Sequence, residues 1–118
     1  MEILKQLNKK ILVLDGATGT AIQKYNLDDK FFLGKKGCNE ILNITKPEVI
    51  KEIHLKYIEA GADIIETNSF NSNKISLSEY NLGDKSYEFA KLSAKLACEV
   101  KNEYFEKTGK KIWVAGSI

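Results

Sequence analysis

The sequence predicts an α/β fold with parallel strands, and three observations carry that prediction. Three short apolar runs, ILVL at 11–14, ADIIE at 62–66 and KIWVAG at 111–116, are continuous rather than alternating. Continuous runs mark strands covered on both faces, as in a parallel sheet. The segments between the runs change to a helical period and are long enough to carry the chain back over a sheet. The order is β-loop-α-β-α-β, with no repeats and no low-complexity tract.

Residues 2–8 read as a short amphipathic turn, with Ile3, Leu4 and Leu7 set to pack against the bottom of the sheet. The first strand follows at 11–14. The stretch Asp28–Asn39, DDKFFLGKKGCN, has glycines at 34 and 37 and no sustained period, so it reads as a loop crossing the top of the sheet. In TKPEVIKEIHLKYIEAG, Val49, Ile50, Ile53, Tyr57 and Ile58 form one helical stripe. Thr45 and Glu48 read as a T-x-x-E capping box, Pro47 suits the first turn, and Gly61 supplies the stop. A shorter helix is expected around Lys74–Tyr80. A longer one runs from about Ser86 to Lys107, with Phe89, Leu92, Leu96, Val100 and Tyr104 on one face and Gly109 just past its end.

The 118 residues suffice for one small domain, and 43% hydrophobic with 29% charged residues suits a packed core rather than disorder. Lysine and arginine number 18 against 16 acidic residues, spread throughout, so no clustered basic face calls for nucleic acid or an anionic membrane. No apolar window approaches a membrane span, and MEILKQLNKK lacks the apolar run of a signal peptide, so a cytoplasmic location is expected. Cys38 and Cys98 lack the paired spacing of a zinc knuckle or a redox motif and read as free thiols.

Function is suggested by where the strands stop. The first ends in Asp15-Gly16, the second in Glu66-Thr67-Asn68-Ser69, the third in Gly116-Ser117. C-terminal strand ends of parallel α/β folds share one face, and ligands bind there. Asp15 is therefore placed at a mouth, beside a glycine that lets a ligand approach the backbone; the alternative is that it only caps the next helix. DGATGT has neither the G-x-G-x-x-G spacing nor the closing Gly-Lys-Ser/Thr of the common phosphate loops. His54 lies inside a helix without a partner spaced to orient it and reads as structural. The lysines of GKKGC read as a solvated loop.

LDGATGT, then EAGADIIETNSFNS, then VAGSI, in that order, resemble the opening of the homocysteine S-methyltransferase family. Within it the likeness is greatest to the N-terminal homocysteine-binding module of cobalamin-dependent methionine synthases. The resemblance implies a (β/α)8 TIM barrel that transfers a methyl group to the thiol of homocysteine, forming methionine. It implies a zinc ion held by three cysteine thiolates from later strands, which Cys38 and Cys98 do not match. It also implies that residues 1–118 are the first three β/α units of that barrel domain, inactive alone, with methylcobalamin and methyltetrahydrofolate served by other domains. By the same resemblance Asp15 meets the substrate ammonium, the Gly16 and Ala17 amides lie near its carboxylate, and Thr67 lines the amino-acid pocket. Asn39, Asn68 and Asn71 occupy neighbouring loop positions.

Three strands of a closed barrel leave free edges, so the isolated piece is expected to self-associate or fold loosely. The alternative is a small self-contained α/β binding module without chemistry, in which Asp15 and Thr67 are caps and turn formers.

Overall fold

Three extended segments lie side by side and point the same way in the computed structural model, which describes residues 1–118. The elements run α1 (Glu2–Leu7), α2 (Thr18–Gln23), α3 (Leu42–Thr45), α4 (Pro47–Glu59), β1 (Ile64–Glu66), α5 (Lys74–Ser78), α6 (Ser86–Thr108) and β2 (Trp113–Ala115). β1 is central. It pairs in parallel with β2, Ile65 opposite Val114, and on its other side Leu14 bridges Ile64 in parallel.

The run at 11–14 is thus an edge ribbon with one bridge, not a regular strand, and the sheet has two strands rather than three. Its hydrogen bonds show why. The Val13 carbonyl accepts from both Asp63 N–H (2.8 Å) and Ile64 N–H (3.1 Å). The Val13 N–H donates to the Asp63 carboxylate (3.0 Å) instead of a main-chain carbonyl, which interrupts the ladder.

Helices α4 and α6 cover one face of the sheet, where Ile58, Ile65, Ala97, Val100 and Ile112 form a small buried cluster. The other face is open: Ile11 is 90% exposed and Val13 53%. Burial on both faces, the expectation from continuous apolar runs, is therefore not met within these residues. The larger apolar cluster, eleven residues, lies off the sheet among the helices and includes Ile22, Leu42, Ile50, Leu77 and Phe89. The radius of gyration is 14.8 Å, against about 13.5 Å for a compact domain of this length, in keeping with the open side.

The stretch 28–39 is more ordered than its irregular composition predicts. Short 3₁₀ turns at Asp29–Phe32 and Asn39–Ile41 bury Phe32 and, between them, Cys38. Thr45 accounts for the failure of the expected capping box. It ends α3, and its hydroxyl donates to the Phe31 carbonyl (2.5 Å), fastening the loop, while Glu48 pairs with Lys46 (3.0 Å). Lys46 takes the N-cap position of α4. Gly61, at φ +113°, stops α4, and Gly109, at φ +74°, stops α6, both as their positions predict. α5 and α6 match the predicted helices closely, but α2 was not anticipated. α1 forms yet buries none of its residues; Leu4 and Leu7 are about half exposed, and a Glu2–Lys111 ion pair ties it to the chain before β2. No helix is long and apolar enough to cross a membrane.

His54 is structural in position: it is buried on α4, and neither ring nitrogen has a hydrogen-bond partner. Burial pulls its pKa down to about 4 from the ordinary 6.5. The unfolded chain therefore takes up a proton first on acidification, so the stability tied to neutral His54 is whole above pH 6.5 and is lost as pH falls towards 4. Denaturant titrations at pH 7 and pH 4.5 are expected to show His54→Phe sparing the protein an acid-induced loss on the order of 3 kcal/mol. Equal pH dependence in the two proteins rules this out.

Candidate functional site

Asp15 directly follows the edge ribbon, and its own N–H donates to Ile64 O (2.9 Å). Its Oδ2 accepts the Glu66 N–H (3.1 Å) at the end of β1, whereas Oδ1 is buried with no partner. It does not cap the next helix: α2 begins after Ala17 and has no side-chain cap. Burial raises the Asp15 pKa to about 6; the Glu66 N–H bond opposes the rise and the Glu66 charge adds to it. The result is a carboxylate with one oxygen fastened and one waiting for a donor.

At the end of β1, Thr67 N–H donates to Ala115 O (2.9 Å). The Thr67 hydroxyl accepts from Ser117 N–H (3.1 Å) and lies 2.6 Å from the Ser69 hydroxyl, which donates to Ser117 O (3.2 Å). Thr67 thus ties the chain leaving β2 to the chain leaving β1. Asp15 and Thr67 stand one residue apart across the Asp15–Glu66 hydrogen bond, on the common rim that the parallel arrangement predicts.

Asn68 is turned into the protein. Its amide donates to Asn39 O (3.1 Å) and Asn43 Oδ1 (3.2 Å), and Asn43 Nδ2 donates back to Asn68 O (3.0 Å). Asn71 N–H donates to Glu40 Oε1 (3.0 Å). Ser69 and Ser117 are strand-end positions in the sequence, whereas Glu40 and Asn43 carry no such mark. Glu40 and Asn43 do leave a trace there, as polar residues that with Asn39 make up half of CNEILN.

A cleft of about 490 Å³ opens between these segments. Gly16, Ala17, Asn39, Thr67, Asn68 and Asn71 all line it; Asp15 lies at its margin, joined to it through Gly16 and Glu66. No lysine, arginine or histidine lines it, while Glu40 and Glu66 do, so with Asp15 the field favours a cation. Tyr57 braces one wall by donating to Ala17 O (2.8 Å), and a side chain at Gly16 would come within 3.2 Å of its hydroxyl. Gly16 and Ala17 are exposed, and residues 16–19 lead into the first turn of α2, whose leading amides have no partner within the helix.

The residues do not fit a metal centre. No three His, Cys, Asp or Glu side chains gather closely enough to hold an ion. Cys38 is buried with its Sγ 3.9 Å from Glu40 Oε2, and burial pushes its thiol pKa up, away from the thiolate a metal needs. Cys98 sits half-buried on α6.

Replacing Asn68 by alanine removes both amide donations and leaves the buried Asn43 oxygen unpaired. Equilibrium unfolding should show a loss of about 2–3 kcal/mol, and a change below about 0.5 kcal/mol contradicts the clamp described above.

The family model described as homocysteine S-methyltransferase matches residues 12–118. Among solved structures, the metallated form of the homocysteine methyltransferase MmuM from Escherichia coli is 26% identical with a TM-score of 0.77, over 97% of this chain and 40% of that one. Its oxidized form is 28% identical, TM-score 0.74, over 94% and 39% of the two chains. The chain therefore spans about two fifths of the length of that relative. With its parallel α/β framework and the match across nearly all of its residues, the chain belongs to the homocysteine S-methyltransferase family.

Proposed function

We propose that residues 1–118 are the N-terminal part of a homocysteine-binding (β/α)8 barrel domain, in an enzyme that moves a methyl group onto the homocysteine thiol to give methionine. The single observation that carries the assignment of the site is Asp15 Oδ1, buried and unpartnered beside a cleft without cations. An α-ammonium group supplies the missing donor and the missing charge together. In this reading Asp15 holds the ammonium, the Gly16 and Ala17 amides receive the substrate carboxylate, and Thr67 with Asn39, Asn68 and Asn71 forms the facing wall. The amino acid is then gripped at its charged end, which leaves the thiol to extend towards the rest of the enzyme.

Family membership supports methyl transfer, and the shared length supports a larger barrel: the 11–14 ribbon and β2 each keep one unpaired side that further strands would take up. The same unpaired edges support self-association of residues 1–118 when produced alone. The zinc that the family likeness implies, which would acidify the thiol, belongs in this reading to ligands outside residues 1–118. The likeness to methionine synthases favours methylcobalamin, recharged from methyltetrahydrofolate on other domains, as the donor.

Only ionised Asp15 attracts an ammonium, so homocysteine affinity should be whole well above pH 6, about halved near it, and fall further as the carboxyl protonates below it. Calorimetry on the full natural polypeptide is expected to show that fall. Asp15→Asn should cost a few kcal/mol of binding and flatten the profile. Undiminished homocysteine affinity in the variant removes Asp15 from the site.

A further inference from the structure

We infer that Glu40 is a positioning residue for the amino-acid cleft, acting through the main chain of Asn71; the inference rests on the homocysteine reading above. Glu40 is a carboxylate only 3% exposed, on the 3₁₀ turn that forms one wall of the cleft. A carboxylate is costly to bury, and Glu40 has no lysine, arginine or histidine against it among its hydrogen bonds and ion pairs. What it has is the Asn71 N–H at 3.0 Å on Oε1, and the Cys38 thiol at 3.9 Å from Oε2. The strong bond spans 31 positions of sequence and ends on the loop that carries the opposite side of the cleft.

That loop needs holding. Between the end of β1 and the start of α5 the backbone follows no regular structure, with tight bonds from Ser69 N–H to Thr67 O and from Ser72 N–H to Ser69 O. Its near end is pinned at Asn68 by Asn39 and Asn43. Its far end is pinned at Asn71 by Glu40. Two anchors three residues apart, both reaching the 39–43 segment, fix the curve in which Thr67 and Asn71 face the cleft. Without the second anchor, Asn68 still keeps the loop attached, but the Asn71 end can swing. The predicted consequence is a cleft that closes poorly on its ligand in a protein that remains folded.

Steady-state kinetics of the full natural enzyme separate this role from a merely structural one. Glu40→Met keeps the volume and removes the acceptor; Glu40→Gln keeps an acceptor for Asn71 N–H and removes the charge. The expected result is a roughly tenfold higher KM for homocysteine with near-normal kcat in the methionine variant, and recovery to within about twofold in the glutamine variant. A general loss of folded enzyme would instead lower kcat and leave KM alone, and that outcome overturns the inference. An unmoved KM in the methionine variant, or a glutamine variant as impaired as the methionine one, also overturns it. Should Glu40→Met not fold, Glu40→Asp decides, because it keeps the charge but shortens the reach: a raised KM supports the role and a wild-type KM ends it. A wild-type enzyme that binds no homocysteine defeats this inference and the functional reading together, whereas normal wild-type binding beside an insensitive Glu40 defeats this inference alone.

Discussion

The hydrogen bond from Glu66 N–H to Asp15 Oδ2 joins the end of the edge ribbon to the end of the central strand, and the geometry of the cleft follows from it. It has a counterpart two residues earlier on the ribbon, where Asp63 Oδ2, from just before β1, accepts the Val13 N–H. Two carboxylates thus stitch a ribbon that has only one regular bridge to its neighbour. Their electrostatic settings are opposite. Asp63 has Lys10 and Lys110 within 3.3 and 3.8 Å, and the Val13 N–H bond followed by those ammonium groups holds its pKa below the ordinary value. Asp15 has no cation and one idle oxygen, and burial drives its pKa up. The stitch at the base is complete within the protein; the stitch at the rim leaves Asp15 Oδ1 without a donor, which the proposed ammonium would supply.

The cleft is built mainly by segments without regular structure, so its shape depends on side-chain bonds between them. Residues 16–19 are held by Tyr57 from α4, residues 67–71 by Asn43 and Glu40, and the chain beyond β2 by Thr67 and Ser69. Each tie joins residues far apart in sequence. This explains the placing of the larger apolar cluster. By packing α2, α3, α4, α5 and α6 with the 28–45 segment, it supports the outer wall of the cleft, while the sheet itself carries only a small cluster on one face.

The parts of this arrangement that were legible in the sequence are those decided locally. A stripe of apolar residues with a glycine beyond it placed α4 and α6 to within a residue or two, because helix stops depend on backbone freedom at Gly61 and Gly109. The strand ends were legible as well, since a polar residue straight after an apolar run marks the rim whatever lies beside it. Thr45 departs from its expected role because a hydroxyl next to a helix start can cap it or reach elsewhere, and the tertiary partner, the Phe31 carbonyl, is invisible to local pattern. Both-face burial fails because continuous apolar composition records what a strand is suited to meet, and the second face at Ile11 and Val13 is largely uncovered here. Glu40 is illegible for a related reason: a single acidic residue in the mixed stretch CNEILN acquires meaning only from the amide it finds 31 positions away.

The same contrast separates residues that shape the cleft from the one that, in the proposed reading, answers a ligand. Thr67, Asn68 and Glu40 spend their polar groups on other parts of the chain, so a ligand gains from them shape and, at most, the lone pairs left over. Asp15 is different in kind. A buried oxygen without a donor is an unfavourable feature of the empty protein, and the chain could have relieved it with a lysine, as Asp63 does at the opposite pole. A lysine at the rim would hold the carboxylate as firmly and would also occupy the place that the proposed function gives to the substrate ammonium. In the proposed reading the bare oxygen is instead kept for the ligand's ammonium, beside Gly16, where an added side chain would crowd the Tyr57 hydroxyl at 3.2 Å.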